Sequence, residues 1–189
     1  MTAVKQIPET LIYEMDNGQP IYYSGYKNIL NGQALPTAIM GSSILQSLII
    51  SYLSHHLINI LPKNYFVLNN EVGILFSKGS WRLADIAIIE KARIKTINDK
   101  YISVPPNVVI EIDTKAALED YANPQEYYKL KTQQYLDFGI DKVIWIFTKN
   151  RTIEVTTKSS KTKHVWDEAI QILEDVKFNL EDLMKDQLA

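Results

Sequence analysis

The stretch Val108-Val-Ile-Glu-Ile-Asp-Thr-Lys-Ala116 (VVIEIDTKA) opens as the apolar run of a buried strand and then carries Glu111, Asp113 and Lys115 at alternate positions. Side chains alternate across a strand, so these three charges are expected on one face, with Ile110, Ile112 and Thr114 on the other. Charges that converge beside a core need partners, either as an ion-pair cluster or as a site of chemistry. Immediately upstream, Pro105-Pro106 imposes an extended approach to the strand.

Working outward, the next element is the most completely signalled in the chain. Asn123 stands where a helix cap is needed, Pro124 at the first helical position, Glu126 where a capping box closes, and Gly139 where a helix ends. The spacing predicts a helix over 124–138, followed by a short buried strand over 142–147 (KVIWIF). Strand, helix, strand is a crossover between parallel neighbours. Before it, Asn17-Gly18 marks a hairpin joining 11–15 to 20–23, expected to cover the edge of the core. The apolar window 38–61 is interrupted by Ser, Gln, Asn and His55-His56, so it reads as a buried amphipathic helix stopped by Pro62 and not as a bilayer span. Residues 65–68, 73–76 and 81–89 read as strands, with a turn over 69–73 and a charged loop or short helix over 90–100. After the crossover, 152–156 reads as an edge strand and Asn179 as the cap of a final short helix. The expected fold is α/β with a mixed sheet, in one domain over 1–189 with the hairpin packed on it.

Bulk properties narrow the function. A chain of 189 residues, 46% hydrophobic and 22% charged, is long enough for one sizeable core. A formal net charge of -2 excludes wholesale basicity, so any contacts to phosphates must be local. With no cysteine, thiol catalysis, disulfides and thiolate zinc are excluded, which suits a reducing cytoplasm. The first residues lack the basic start and apolar run of a signal peptide, so neither export nor a membrane location is expected. No nucleotide cofactor is expected.

Two further residues stand out from their surroundings. On helix 124–138, Tyr128, Lys131, Tyr135 and Phe138 are three or four residues apart and fall on one face, with Lys131 interrupting an apolar stripe. Its stem could lie on the core with the ammonium reaching solvent, or the ammonium could meet an anion on the sheet. Asp85 is a lone acid in the apolar segment Arg82-Leu-Ala-Asp-Ile-Ala-Ile-Ile89. If its strand pairs beside VVIEIDTKA, Asp85 and Glu111 meet, and a proton or a cation must relieve their repulsion. Oxygen ligands without His or Cys suit Mg²⁺ first and Mn²⁺ next.

Ala84-Asp85, Pro105-Pro106-Asn-Val-Val-Ile-Glu111, Lys131-Thr-Gln-Gln-Tyr135 and Phe138-Gly-Ile-Asp-Lys-Val-Ile-Trp145 together resemble the Uma (Uma two) family of restriction-endonuclease-like proteins, within the PD-(D/E)XK nuclease superfamily. The resemblance runs from the Asn17-Gly18 hairpin to the final helix. It implies a restriction-endonuclease-like core and metal-dependent hydrolysis of DNA phosphodiesters. Asp85 and Glu111 would bind the metal, which acts as a Lewis acid on the phosphate, and Lys131 would be the catalytic lysine, moved from strand to helix. The chain departs from the family pattern twice: Ala84 replaces the proline before the acid, and Thr114-Lys115 replaces the Ser-Pro that often follows the glutamate strand. Asp113 stands where the superfamily motif places its lysine, and could be an extra ligand or pair with Lys115 or Lys131. Glu71 is a further, weaker possibility.

DNA contacts have two candidate stretches. Lys149, Arg151, Lys158, Lys161 and Lys163 form one, and Lys91, Arg93 and Lys95 the other, with solvated surface as the default for both. A homodimer is the expected assembly. The alternative to an enzyme is an inactive nuclease fold that binds nucleic acid or protein, because fold alone does not establish activity.

Overall fold

In the computed structural model, which describes residues 7–173 and 175–187, the turn at Asn17-Gly18 joins two antiparallel strands, β1 (Ile12–Asp16) and β2 (Gln19–Tyr22). Both turn residues have positive φ, 47° and 83°, the backbone that a tight two-residue hairpin requires. Two short helices, α1 (Tyr26–Leu30) and α2 (Thr37–Met40), lead to α3 (Ile44–Ile60), whose cap Ser43 accepts a hydrogen bond from the Gln46 N–H. The long antiparallel pair β3 (Tyr65–Ser77) and β4 (Ser80–Glu90) follows, then β5 (Val108–Ile112).

The crossover forms as the spacing predicts. Helix α4 (Pro124–Phe138) has its Asn123 cap bonded to the Gln125 N–H and its Gly139 stop at φ 109°, and it leads to β6 (Lys142–Phe147), parallel to β5. Antiparallel strands β7 (Thr152–Thr157) and β8 (Lys161–Val165) extend the sheet. A separate hairpin of β9 (Ala169–Leu173) and β10 (Val176–Asn179) precedes α5 (Leu180–Met184), which Asn179 caps through the Asp182 N–H. The order across the sheet is β2-β1-β4-β5-β6-β7-β8, with β3 on the other edge of β4. This is a mixed α/β fold.

Alternation on the central strands builds two apolar layers. Ile86, Ile88, Ile110, Ile112, Ile144 and Ile146 face α3, α5 and the β9–β10 hairpin. Val109, Val143 and Trp145 pack with Tyr127 and Tyr135 of α4 on the other face. Each layer excludes water from the sheet, so a charge between α4 and the sheet has only protein partners.

Four expectations need correction. The three charges of VVIEIDTKA do not share a strand face, because β5 ends at Ile112 and Asp113 turns away in a left-handed conformation, φ 53°. Residues 69–73 do not form a turn; β3 runs through them with a bulge at Asn70 and Glu71, both at positive φ. The strand after the crossover is not an edge, since the Lys-rich β8 lies outside it, a composition that hides a strand and also protects an exposed edge. On α3, Ile44, Tyr52 and Ile60 are exposed, so the buried stripe is narrower than the apolar spacing implied. Among the described residues no helix is long and apolar enough to cross a membrane.

Candidate active site

The site lies where two strands part. Because β3 occupies one edge of β4, both β1, through Met15 and Trp81, and β5, through Ile86 and Ile110, must use the other. Between those contacts Arg82, Leu83, Ala84 and Asp85 have no strand partner on that side. Buried backbone groups there need side chains instead. The Leu83 N–H donates to Glu14 Oε1 at 3.1 Å, and the Leu83 carbonyl accepts from Lys131 Nζ at 2.9 Å.

Glu14 enters the gap because β1 has an irregularity between Ile12 and Glu14, which lets Tyr13 and Glu14 both be buried although they are adjacent. Its carboxylate also accepts from Lys131 at 2.7 Å, Arg82 at 3.0 Å and the Tyr127 hydroxyl at 2.9 Å. Burial works against this charge, but Lys131 and Arg82 outweigh it and hold the Glu14 carboxyl below the usual carboxylate range. Arg82 extends the network to Gln134 on α4 and to Asp16.

Lys131 is completely buried, inside a cage of Tyr13, Tyr127, Tyr135 and Trp145 rings. An ammonium has three protons, and Lys131 has three close oxygen partners: the Leu83 carbonyl, Glu14 and, at 3.0 Å, Glu111 Oε1. Burial opposes its charge, yet Glu111 and Glu14 hold its pKa above the ordinary lysine value. The pairing of helix lysine with strand glutamate that the sequence pointed to is therefore present. The geometry leaves Lys131 no proton for a water or a substrate.

Glu111 also accepts from the Tyr135 hydroxyl at 2.6 Å. Burial pushes its carboxyl up to about 8, against the pull of Lys131 and with the added repulsion of Asp85 and Glu14. Asp85 lies one position beyond the last paired residues of β4 and β5, opposite Glu111, and its Oδ2 accepts the Ile112 N–H at 2.7 Å. Burial raises the Asp85 carboxyl as well, against that N–H, Lys131 and Lys115. From α3, the Gln46 side-chain amide donates to the Ile112 carbonyl at 2.9 Å and approaches both Asp85 oxygens at 3.5 Å.

Asp85 is where this buried chain of charges reaches the open. It lines a cleft of about 410 Å³ together with Ser47, Ser51, Asn70, Glu71 and Lys115. Glu71, aimed there by the β3 bulge, pairs with the Lys115 ammonium. Asp113 is outside this group: its carboxylate accepts from the Thr148 N–H and hydroxyl, tying the end of β5 to the turn after β6. Among the described residues no three acidic or histidine side chains are grouped as a metal cage. Two adjacent carboxylates that burial drives toward neutrality, beside a backbone carbonyl, nevertheless fit a hard divalent ion, which commonly takes one or two carboxylates and fills its shell with water and phosphate oxygens.

A family model described as "Uma2: Putative restriction endonuclease" matches residues 27–183. The chain belongs to the Uma2 family. A crystal structure of "a putative nuclease belonging to DUF820" from Anabaena variabilis ATCC 29413 superposes with a TM-score of 0.66 at 16% identity, over 91% of this chain and 89% of that one. At that identity the likeness shows a shared fold. No curated protein matches.

Within this Uma2 protein, sequence reasoning missed Glu14, Arg82 and Gln46. Glu14 and Arg82 had a detectable signal, an acid inside a short strand and a base inside a long apolar one; Gln46 on an apolar helix had none. The basic stretch 149–163 lies on β7, β8 and the turn before them, away from β4. Arg151 is paired with Glu181, and Lys161 with Glu154 at 2.8 Å. Lys149 and Lys163 are exposed.

Proposed function

We propose that this protein is a divalent-metal-dependent endonuclease that hydrolyses DNA phosphodiesters, with Asp85 and Glu111 as ligands of Mg²⁺ or Mn²⁺. The observation that carries this reading is the pair itself: two carboxylates at facing strand positions, both raised by burial, one of them opening on a cleft. A cation bound there supplies Lewis acidity at the scissile phosphate. Gln46 holds the Asp85 carboxylate and the Ile112 carbonyl in fixed relation. Lys131 and Tyr135 fix Glu111 from behind, and Glu14 with Arg82 anchors Lys131 in turn. Lys131 is thus a positioning residue, whose charge favours the ionised form of Glu111.

The chain's lack of cysteine suits a reducing cytoplasm, and a homodimer is the assembly we expect. The test is incubation of supercoiled plasmid with wild type, Asp85→Asn and Glu111→Gln in Mg²⁺, Mn²⁺ or chelator. Nicking by wild type alone, and only with metal, supports the proposal; nicking that persists in both variants, or in chelator, refutes it. A second reading, an inactive fold that only binds nucleic acid or protein, draws on one feature: the Glu111 carboxyl is engaged internally, by Lys131 and Tyr135. A folded wild type that binds metal but leaves DNA intact would favour it.

A further inference from the structure

Two lysines act electrostatically on Asp85, and they differ in every respect that matters for touching a substrate. Lys131 has all three protons taken, is ringed by four aromatic side chains and has no exposure. Bringing a phosphate to it would require opening the core between α4 and the sheet. Lys115 lines the cleft that Asp85 lines. Its partners are the Glu71 carboxylate and, at a long 3.4 Å, the Met40 carbonyl, so a third proton is uncommitted.

The surroundings of Lys115 fit a sugar-phosphate backbone. The cleft, within the usual size of ligand sites, adds neutral hydrogen-bonding groups, Ser42, Ser47, Ser51, Asn69 and Asn70, to one ammonium. Lys115 is also held in place: its carbonyl accepts from the Ser24 N–H at 2.7 Å, and the following Ala116 N–H is bonded by Thr114 Oγ1. Glu71 is more than a third exposed while Lys115 is mostly covered, so the carboxylate can swing to solvent and leave the ammonium facing the cleft.

Resting on the nuclease reading, we propose that Lys115, and not Lys131, is the lysine that contacts a phosphate of the DNA substrate beside Asp85, and that Glu71 occupies it in the free protein. An arriving phosphate replaces one anionic partner by another, so the ammonium remains paired throughout. Glu71 thereby weakens binding by competition.

The experiment is fluorescence anisotropy of labelled single- and double-stranded DNA oligonucleotides in chelator, from about 50 to 200 mM salt, with Mg²⁺-dependent cleavage followed in parallel. Lys115→Ala is expected to weaken binding about tenfold, the scale of a charge-assisted hydrogen bond, and to lower the salt slope by roughly 0.7–0.9. Lys115→Arg should restore most of both. Glu71→Gln should tighten binding, and that gain should vanish in the Lys115→Ala, Glu71→Gln double variant, which also keeps the test decisive if one single variant folds poorly. A wild type that cleaves DNA while Lys115→Ala keeps its affinity and salt slope overturns this assignment and leaves the nuclease reading intact. A folded wild type that neither binds nor cleaves DNA overturns both.

Discussion

Replacing Lys131 by Met removes the ammonium at the centre of the buried network and leaves a side chain of similar length. Glu14 and Glu111 then lose their shared cation, and the Leu83 carbonyl loses its donor. Breaking a buried ion pair from one side costs about 3–5 kcal/mol. Two features place this case near the lower end. Glu14 keeps Arg82, Tyr127 and the Leu83 N–H, and Glu111, already pushed up to about 8, can take a proton at neutral pH instead of standing as a bare charge. At roughly 2–4 °C per kcal/mol for a chain of this size, a loss near 3 kcal/mol lowers Tm by about 6–12 °C at pH 7. The pH dependence has a definite sign. An unfolded glutamate releases its proton near 4.5 and folded Glu111 near 8, so between those values the folded state holds more protons and stability falls as pH rises. Without Lys131 the folded value is higher still, so the penalty continues to grow above pH 8 and the gap between variant and wild type widens from pH 7 to 9. Calorimetric melts of metal-free protein at pH 6 to 9 read this directly. A Tm loss under about 2 °C, unchanged across that range, would refute the role assigned to Lys131.

Two other expectations follow from the same geometry. If Glu111 must lose its proton to bind a cation, Mn²⁺ affinity at pH 7 should be about tenfold below its plateau above pH 8, and calorimetry in buffers of different ionisation enthalpy should record close to one proton released; an affinity flat from pH 6 to 9 would contradict this. Asp113→Ala, which removes a tie to Thr148 and no ligand, should cost about 1–3 kcal/mol in urea unfolding yet leave Mn²⁺ affinity unchanged; a large loss of metal binding would return Asp113 to the site.

Much of this arrangement was legible in local signals. Asn123, Pro124 and Gly139 bound α4 because cap chemistry is a property of a few neighbouring residues. Asp85, Glu111 and Lys131 were conspicuous because each is a charge in an apolar pattern. What escaped depends on long-range geometry. Glu14 is buried by a strand irregularity and by a gap that exists only once β1 and β5 both dock on β4, and its four donors come from two distant segments, β4 and α4. Asp113 and Lys115 look co-facial with Glu111 until a single residue takes positive φ. Strand β8 (KTKHV) is specified by pairing with β7 and by edge protection, neither of which leaves an apolar period to read.

The central claim is that Asp85 and Glu111 hold a divalent ion for DNA cleavage, and calorimetric titration of Mg²⁺ and Mn²⁺ with plasmid nicking followed in the same samples tests it most directly. Wild type should bind about one ion and nick, and the Asp85→Ala, Glu111→Ala double variant, still folded by circular dichroism, should do neither. A folded wild type that binds no ion, or a double variant that binds and nicks as wild type does, would contradict the account.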